Sequence, residues 1–184
     1  MGKLLVKIFI MFFLFQFYSC TNNSKKSFIS KSHDKYLLFP ENYSVINYRD
    51  TCVNLDNYNK AIKIVHLFDG DCGFCLNQIK KWSEFIDSYQ FSDEIDFIFF
   101  TYSNNYNFLE DFLLKNKGFD FLIFGIERDE FLSNNDIPEN TSLHTFLLIE
   151  DKIKVIGSPI DNAKMQVLYE DQIIKYFESD CKIN

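Results

Sequence analysis

The sequence predicts an α/β domain, on three observations. Two apolar runs rich in β-branched and aromatic residues, 61–68 (AIKIVHLF) and 95–102 (IDFIFFTY), read as buried strands. Each is followed by a segment with apolar residues at helical spacing. Two further short apolar runs, 145–149 and 152–156, flank Glu150-Asp151 and read as a hairpin. The predicted order is β-α-β-α-β-β-β-α, the alternation of an α/β layout.

The N-terminus sets the compartment. Lys3 and Lys7 precede an almost wholly apolar run, Ile8 to Phe17, and then Tyr18-Ser19-Cys20 and a polar stretch. This is the order of a secretory signal, over 1–19. Ser19-Cys20 resembles the lipobox of bacterial lipoproteins, in which the cysteine becomes the first residue and carries the lipid. The resemblance makes Cys20 the lipidation site and implies a lipid anchor in a bacterial cell envelope. Phe17 and Tyr18 depart from the usual residues of that motif. A plain cleaved signal or a membrane anchor are the alternatives, and the run is short of the ~20 residues of a membrane span. Each version leaves the domain outside the cytoplasm, facing periplasm or exterior, where disulfides persist. Residues 20–35 read as a polar tether, with His33 in solvent, and 36–184 as one domain.

Within the domain, residues 36–58 hold short strand or turn pieces around Pro40. The 61–68 strand stops at the turn signal Asp69-Gly70. Residues 73–89 form a helix whose apolar face carries Leu76, Ile79, Trp82 or Phe85, and Ile86. After the 95–102 strand, 106–117 reads as a helix closed by Gly118, and 119–124 (FDFLIF) as a third strand. Residues 125–142 read as a polar loop. Asp161 is placed to cap the last helix, 162–178, whose apolar face includes Met165, Leu168, Ile173 and Phe177.

Composition narrows the partners. The chain carries 19 basic and 26 acidic residues, a net charge of −7, and loss of Lys3 and Lys7 with the signal makes it more negative. That excludes a nucleic-acid surface and leaves a protein substrate open. With 22 Phe the chain can fill a sizeable core.

The chemistry concentrates in Asp69-Gly70-Asp71-Cys72-Gly73-Phe74-Cys75. A Cys-x-x-Cys where a strand meets a helix is the layout of a thiol–disulfide redox site. The first cysteine sits at the helix N-terminus, where unpaired N–H groups and the dipole favour a thiolate. The second lies one turn on, near enough to close a small ring. Half a zinc site has the same spacing, but no second Cys-x-x-Cys and no His-x-x-x-His pair accompanies it. Asp69 and Asp71 add negative charge beside Cys72 and oppose the thiolate, which predicts a reducing couple. In the plainer reading the two aspartates form a turn.

This arrangement resembles the thioredoxin-like superfamily, closest to the TlpA/ResA-type membrane-anchored thiol–disulfide oxidoreductases of bacteria. The resemblance covers about 58–178 and is sharpest in IVHLFDGDCGFCLNQIKKW and HTFLLIEDKIKVIG. It implies a central mixed β-sheet flanked by helices, Cys72 as nucleophile and Cys75 as resolving thiol. It also implies a protein disulfide or dithiol as substrate, a redox partner protein, and no organic cofactor. Asp69-x-x-Cys72-x-x-Cys75 also resembles the DCC family, itself thioredoxin-like, in that motif alone.

Two positions depart from the pattern. The family's cis-proline before the hairpin strand aligns with His144, next to Thr145, and both are expected at the substrate-binding edge. A trans bond is expected there, since a cis bond before a non-proline residue costs about 3 kcal/mol. His144 with Cys72 and Cys75 offers three metal ligands but lacks a fourth, and no metal is assigned. The alternative has His144 pointing out of a hairpin edge. His66 stands where the family often carries a buried acid or amide. It is a candidate base for Cys75, or a core histidine bonded to backbone.

Two other readings stay open. IVHLFDGDCGF loosely resembles the first motif of haloacid-dehalogenase-type phosphatases, with Asp69 as nucleophile, Asp71 as acid/base, Thr101 as a second-motif hydroxyl and Mg²⁺ between them. A non-enzymatic thioredoxin-fold lipoprotein that binds a partner or metal is the other. Cys52 and Cys181 either form a second disulfide or remain separate thiols.

Overall fold

The computed structural model describes residues 25–46, 54–115 and 121–180. Two compact units divide the chain, Met1–His33 and Asp34–Asn184. In the first, residues 25–32 form a helix, α1, where a tether was expected. It closes with the His33 N–H on the Ile29 carbonyl at 3.2 Å. Cys20, Cys52 and Cys181, and with them the signal, the lipidation site and the second disulfide, lie outside the described residues. No helix among the described residues is long and apolar enough to cross a membrane.

In the second unit a six-stranded mixed sheet runs in the order β1-β4-β3-β2-β5-β6. The strands are β1 (Ser44–Ile46), β2 (Ile62–Asp69), β3 (Ile95–Tyr102), β4 (Ile123–Gly125), β5 (Thr145–Ile149) and β6 (Lys152–Ile156). β4, β3 and β2 are parallel, while β1, β5 and β6 pair antiparallel with their neighbours. The helices are α2 (Gly73–Ser88), α3 (Tyr106–Lys115), α4 (Arg128–Asn134) and α5 (Ala163–Asp180). The α/β expectation is met, with the central strands near-continuously apolar because both faces are covered.

Alternation along the strands separates two layers of core. Ile64, Phe68, Phe97 and Phe99 face α2, α3 and α5, meeting Leu76, Ile79, Trp82, Leu109, Tyr169 and Ile173. On the other face Phe100 packs edge-on against Phe39 and tilts against Phe131 of α4. Glu150 and Asp151 both have positive φ, the pair of left-handed residues that a tight hairpin turn requires. The open edge of β6 is partly covered by Asp34–Leu37, whose backbone bonds to Asp151 and Ile153.

Several expectations are corrected. The 125–142 loop contains α4 and a 3-10 turn, Thr141–Leu143. Only Phe131 and Leu132 of α4 are buried, too few apolar positions to announce a helix. Among the described residues the third strand runs Ile123–Gly125, while the expected start at 119 lies outside them. Asn162, not Asp161, begins α5, accepting the Met165 N–H at 3.3 Å through Oδ1. Asp161 has φ 55° and its carboxylate lies on Lys81. On α5 the fully buried residues are Tyr169 and Ile173, while Leu168 is 41% exposed.

Trp82 joins α2 to the sheet, with Phe85 and Phe99 edge-on at 5.6 Å and His66 at 5.2 Å. Trp82→Ala is expected to cost about 3–5 kcal/mol, measured as a lower denaturation midpoint in urea. A loss below about 1 kcal/mol would contradict this packing.

Candidate functional site

The site forms where β2 ends and α2 begins. β2 runs to Asp69, paired with Tyr102 of β3. The chain then turns sharply. The Gly70 N–H donates to the Tyr102 carbonyl at 2.8 Å, and the Asp71 N–H to Asp69 Oδ1 at 2.8 Å. A Cβ on Gly70 would stand 3.0 Å from both Ser103 Cβ and Thr101 Oγ1, so a glycine lets the turn lie against β3. Asp71 fastens this turn to the next loop. Its carboxylate accepts from Ser103 Oγ at 2.5 Å and from the Asn104 N–H and Nδ2 at 2.8 and 2.9 Å. These donors hold Asp71 below its ordinary value, the Asn104 N–H foremost. The two aspartates thus build the turn. Asp71 is directed to Ser103 and Asn104.

Cys72 is the N-cap of α2, with extended backbone, and its Sγ accepts the Cys75 N–H at 3.3 Å. Both thiols are free and partly exposed. Burial pushes the Cys75 thiol up to about 12, helped by its hydrogen bond to Cys72 and by the charges of Cys72 and Asp69. Cys75 therefore keeps its proton near neutral pH.

Cys75 opens on a cavity of about 410 Å³ that gathers four stretches of chain: the end of β2, the first turns of α2, the Thr141–Thr145 region and Ser158–Asp161. His66 and Thr145 line it, with His66 Nδ1 2.9 Å from Thr145 Oγ1. Burial, with His144 nearby, pushes the His66 imidazole down to about 3, leaving it neutral. A larger cavity, about 700 Å³, surrounds Lys63 and Asp151 towards the other end of β2 and is lined by no thiol.

His144 does not point outward from the hairpin. It is 1% exposed, its Nε2 2.9 Å from the Pro138 carbonyl, and its Nδ1 has no hydrogen-bond partner. Nε2 is thus the protonated nitrogen, donating to that carbonyl. Burial lowers its basicity as well. The peptide bonds of the described residues are trans, including that before His144. Its carbonyl accepts the Leu67 N–H at 2.9 Å, so the residue continues the β2–β5 contact. No trio of His, Cys, Asp or Glu among the described residues is placed to hold a metal ion. The phosphatase arrangement lacks its parts: Asp71 is held by the loop, and Thr101 is fully buried.

Sequence reasoning missed Ser103 and Asn104, although Ser-Asn-Asn before a helix is a cap-and-turn signal, with Asn105 Oδ1 accepting the Phe108 N–H. It also missed Ile160 in the cavity wall and Arg128, whose guanidinium lies 5.3 Å from the Tyr102 ring.

No protein-family model and no curated protein sequence matches the chain. Solved structures do. A thiol-disulfide isomerase from Corynebacterium glutamicum superposes with a TM-score of 0.52 at 13% identity, over 73% of this chain and 94% of that one. A candidate thiol-disulfide oxidoreductase from Bacteroides vulgatus gives 0.50 at 16%, over 66% and 79%. A candidate thiol:disulfide interchange protein, DsbE, from Chlorobium tepidum gives 0.50 at 10%, over 74% and 94%. At such identities the likeness establishes the fold, which is thioredoxin-like.

The two depressed histidines fix a pH dependence. The unfolded chain binds a proton that folded His66 refuses, so stability rises with pH from about 3 to the ordinary imidazole value of about 6.5, and His144, also lowered by burial, acts in the same direction. Acidifying through that window is expected to lower the unfolding free energy by up to ~1.4 kcal/mol per pH unit through His66. Urea melts at stepped pH check this, with His66→Phe flattening the slope. An unchanged slope in the variant would refute the assignment to His66.

Proposed function

We propose that this protein is an extracytoplasmic thiol–disulfide oxidoreductase acting as a reductase, tethered to a bacterial membrane through lipid on Cys20. The observation that carries the reading is the pair of thiols on the first turn of α2, one capping the helix and the other opening on a cavity. The thioredoxin-like fold and the printed activities of its structural neighbours support it. The signal and lipobox pattern of residues 1–20 supports the location.

Cys72, as thiolate, attacks one sulfur of a substrate disulfide. A Cys72–substrate disulfide forms, the substrate S–S bond breaks, and the departing sulfur takes up a proton. Cys75 then gives up its proton and attacks Cys72 Sγ, closing the Cys72–Cys75 disulfide and releasing the second substrate thiol. The substrate gains two electrons and two protons, and the enzyme dithiol loses them. A dithiol of a donor protein returns the pair to the reduced state.

The raised Cys75 thiol supports this order. Cys75, pushed up to about 12, stays protonated while the first attack occurs at Cys72. The proton rests on Cys75 rather than on His66, pushed down to about 3. So lowered, His66 is too weak a base to take the Cys75 proton, which passes to water as Cys75 attacks; His66 stays a neutral imidazole that fixes Thr145 through their 2.9 Å hydrogen bond. Thr145 forms the cavity wall facing the substrate, and His144 holds the edge of β5 behind it.

Cys72→Ser is expected to abolish turnover of a peptide disulfide. Cys75→Ser is expected to accumulate the mixed disulfide, visible as an adduct mass on Cys72. Adduct on Cys75 in place of Cys72 would reverse the roles. The rate of resolution is expected to show no inflection near pH 6.5, and His66→Asn to change it by far less than the about 100-fold that a general base contributes. An inflection near 6.5 that vanishes in the variant would contradict a neutral imidazole.

A further inference from the structure

We propose that the cavity beside Cys75 receives an apolar side chain of a polypeptide substrate, and that Asp69 in its lining selects substrates with a lysine or arginine beside the reacting cysteine. The inference rests on the thiol–disulfide reading above and names the substrate class.

The apolar part of the wall is Leu67, Phe68, Phe74, Trp82 and Ile160. Phe74 is 72% exposed. A single exposed ring is ordinary on a protein surface, but this one stands between the two cysteines and lines the cavity that opens on Cys75. A ring so placed contacts whatever chain presents a disulfide to Cys72. The cavity's size suits side chains of an extended segment.

Charge chooses among such segments. The cavity lining includes two carboxylates, Asp69 and Asp161, and no lysine or arginine. Asp161 is neutralised by Lys81. Asp69 accepts the Asp71 N–H through Oδ1, and no cation pairs with it among the described residues. Its charge is felt inside the site, where it adds to the upward push on Cys75 and on Tyr102. An acidic substrate meets this carboxylate and a chain of net charge −7 with like charge. A basic one offers the missing counter-charge next to the reacting sulfur. Complementarity of this kind acts on specificity and on-rate.

The test uses the full reduced chain with three peptide disulfides identical except for Lys, Gln or Glu beside the cysteine, each with a leucine following it. Hydroxyethyl disulfide, small and neutral, serves as the reference. The Lys peptide is expected to exceed the Glu peptide in kcat/KM by about three- to ten-fold at low salt. That ratio should fall towards one at high salt and in Asp69→Asn. Phe74→Ser should lower kcat/KM for all three peptides relative to the reference disulfide. Equal turnover of the three peptides, or a charge preference that survives Asp69→Asn, overturns the selection while leaving the chemistry standing. Failure on the reference disulfide as well overturns both.

Discussion

The strand-to-helix junction at Asp69–Cys72 is the constraint on which the site depends. β2 is buried on both faces and ends beside β3, so its last residue is fixed by the sheet. From there the chain must reverse and start α2 within three residues. Gly70 allows the close approach, and its N–H joins the Tyr102 carbonyl. Asp71 holds the loop after β3 with three charge-assisted hydrogen bonds, each stronger than a neutral one. Cys72 is then delivered to the N-cap, and Cys75 to the cavity, by the geometry of the turn. Trp82, two turns further on, packs α2 to the sheet.

The electrostatics of the site follow from this placement. Most of its ionisable neighbours are held neutral or are already bonded. Cys75 keeps its proton, His66 and His144 lack theirs, and the Asp71 charge is absorbed by backbone and side-chain donors. Among the described residues, Asp69 is the lining carboxylate with no cation paired to it. A dithiol in this setting works against nearby negative charge, which favours the reduced pair retaining a proton and suits a reductant. In the proposed activity the electrons delivered to substrate are replaced by another dithiol, which places the protein between a donor and a substrate.

Much of the fold was legible because its central elements are long and periodic. β2, β3 and the β5–β6 hairpin stand out as apolar runs, and α2 shows Leu76, Ile79 and Trp82 at helical spacing. Short elements were not legible. β1 has three residues, and α4 buries only Phe131 and Leu132 amid polar neighbours. Asp161 looked like a cap by residue type, but its left-handed backbone gives the role to Asn162. Leu168 looked like a core residue, yet packing selects Tyr169, whose hydroxyl donates to the Gly157 carbonyl at 2.9 Å. The cysteines were visible as a motif. Their surroundings were not, because Asp71 meets Ser103 and Asn104 across the sheet, and the cavity is closed by Ser158 and Ile160 from beyond the hairpin. His144 was found by position, but its burial against Pro138 comes from a loop whose path no local pattern reveals.

The most direct measurement is a redox titration of the full chain, with mass-tagging of Cys72 and Cys75. The account predicts a reversible two-electron couple at that pair, at or below about −200 mV. A potential near −120 mV would mark an oxidant and contradict the reductase assignment. Absence of reversible exchange between Cys72 and Cys75 would contradict the redox role itself.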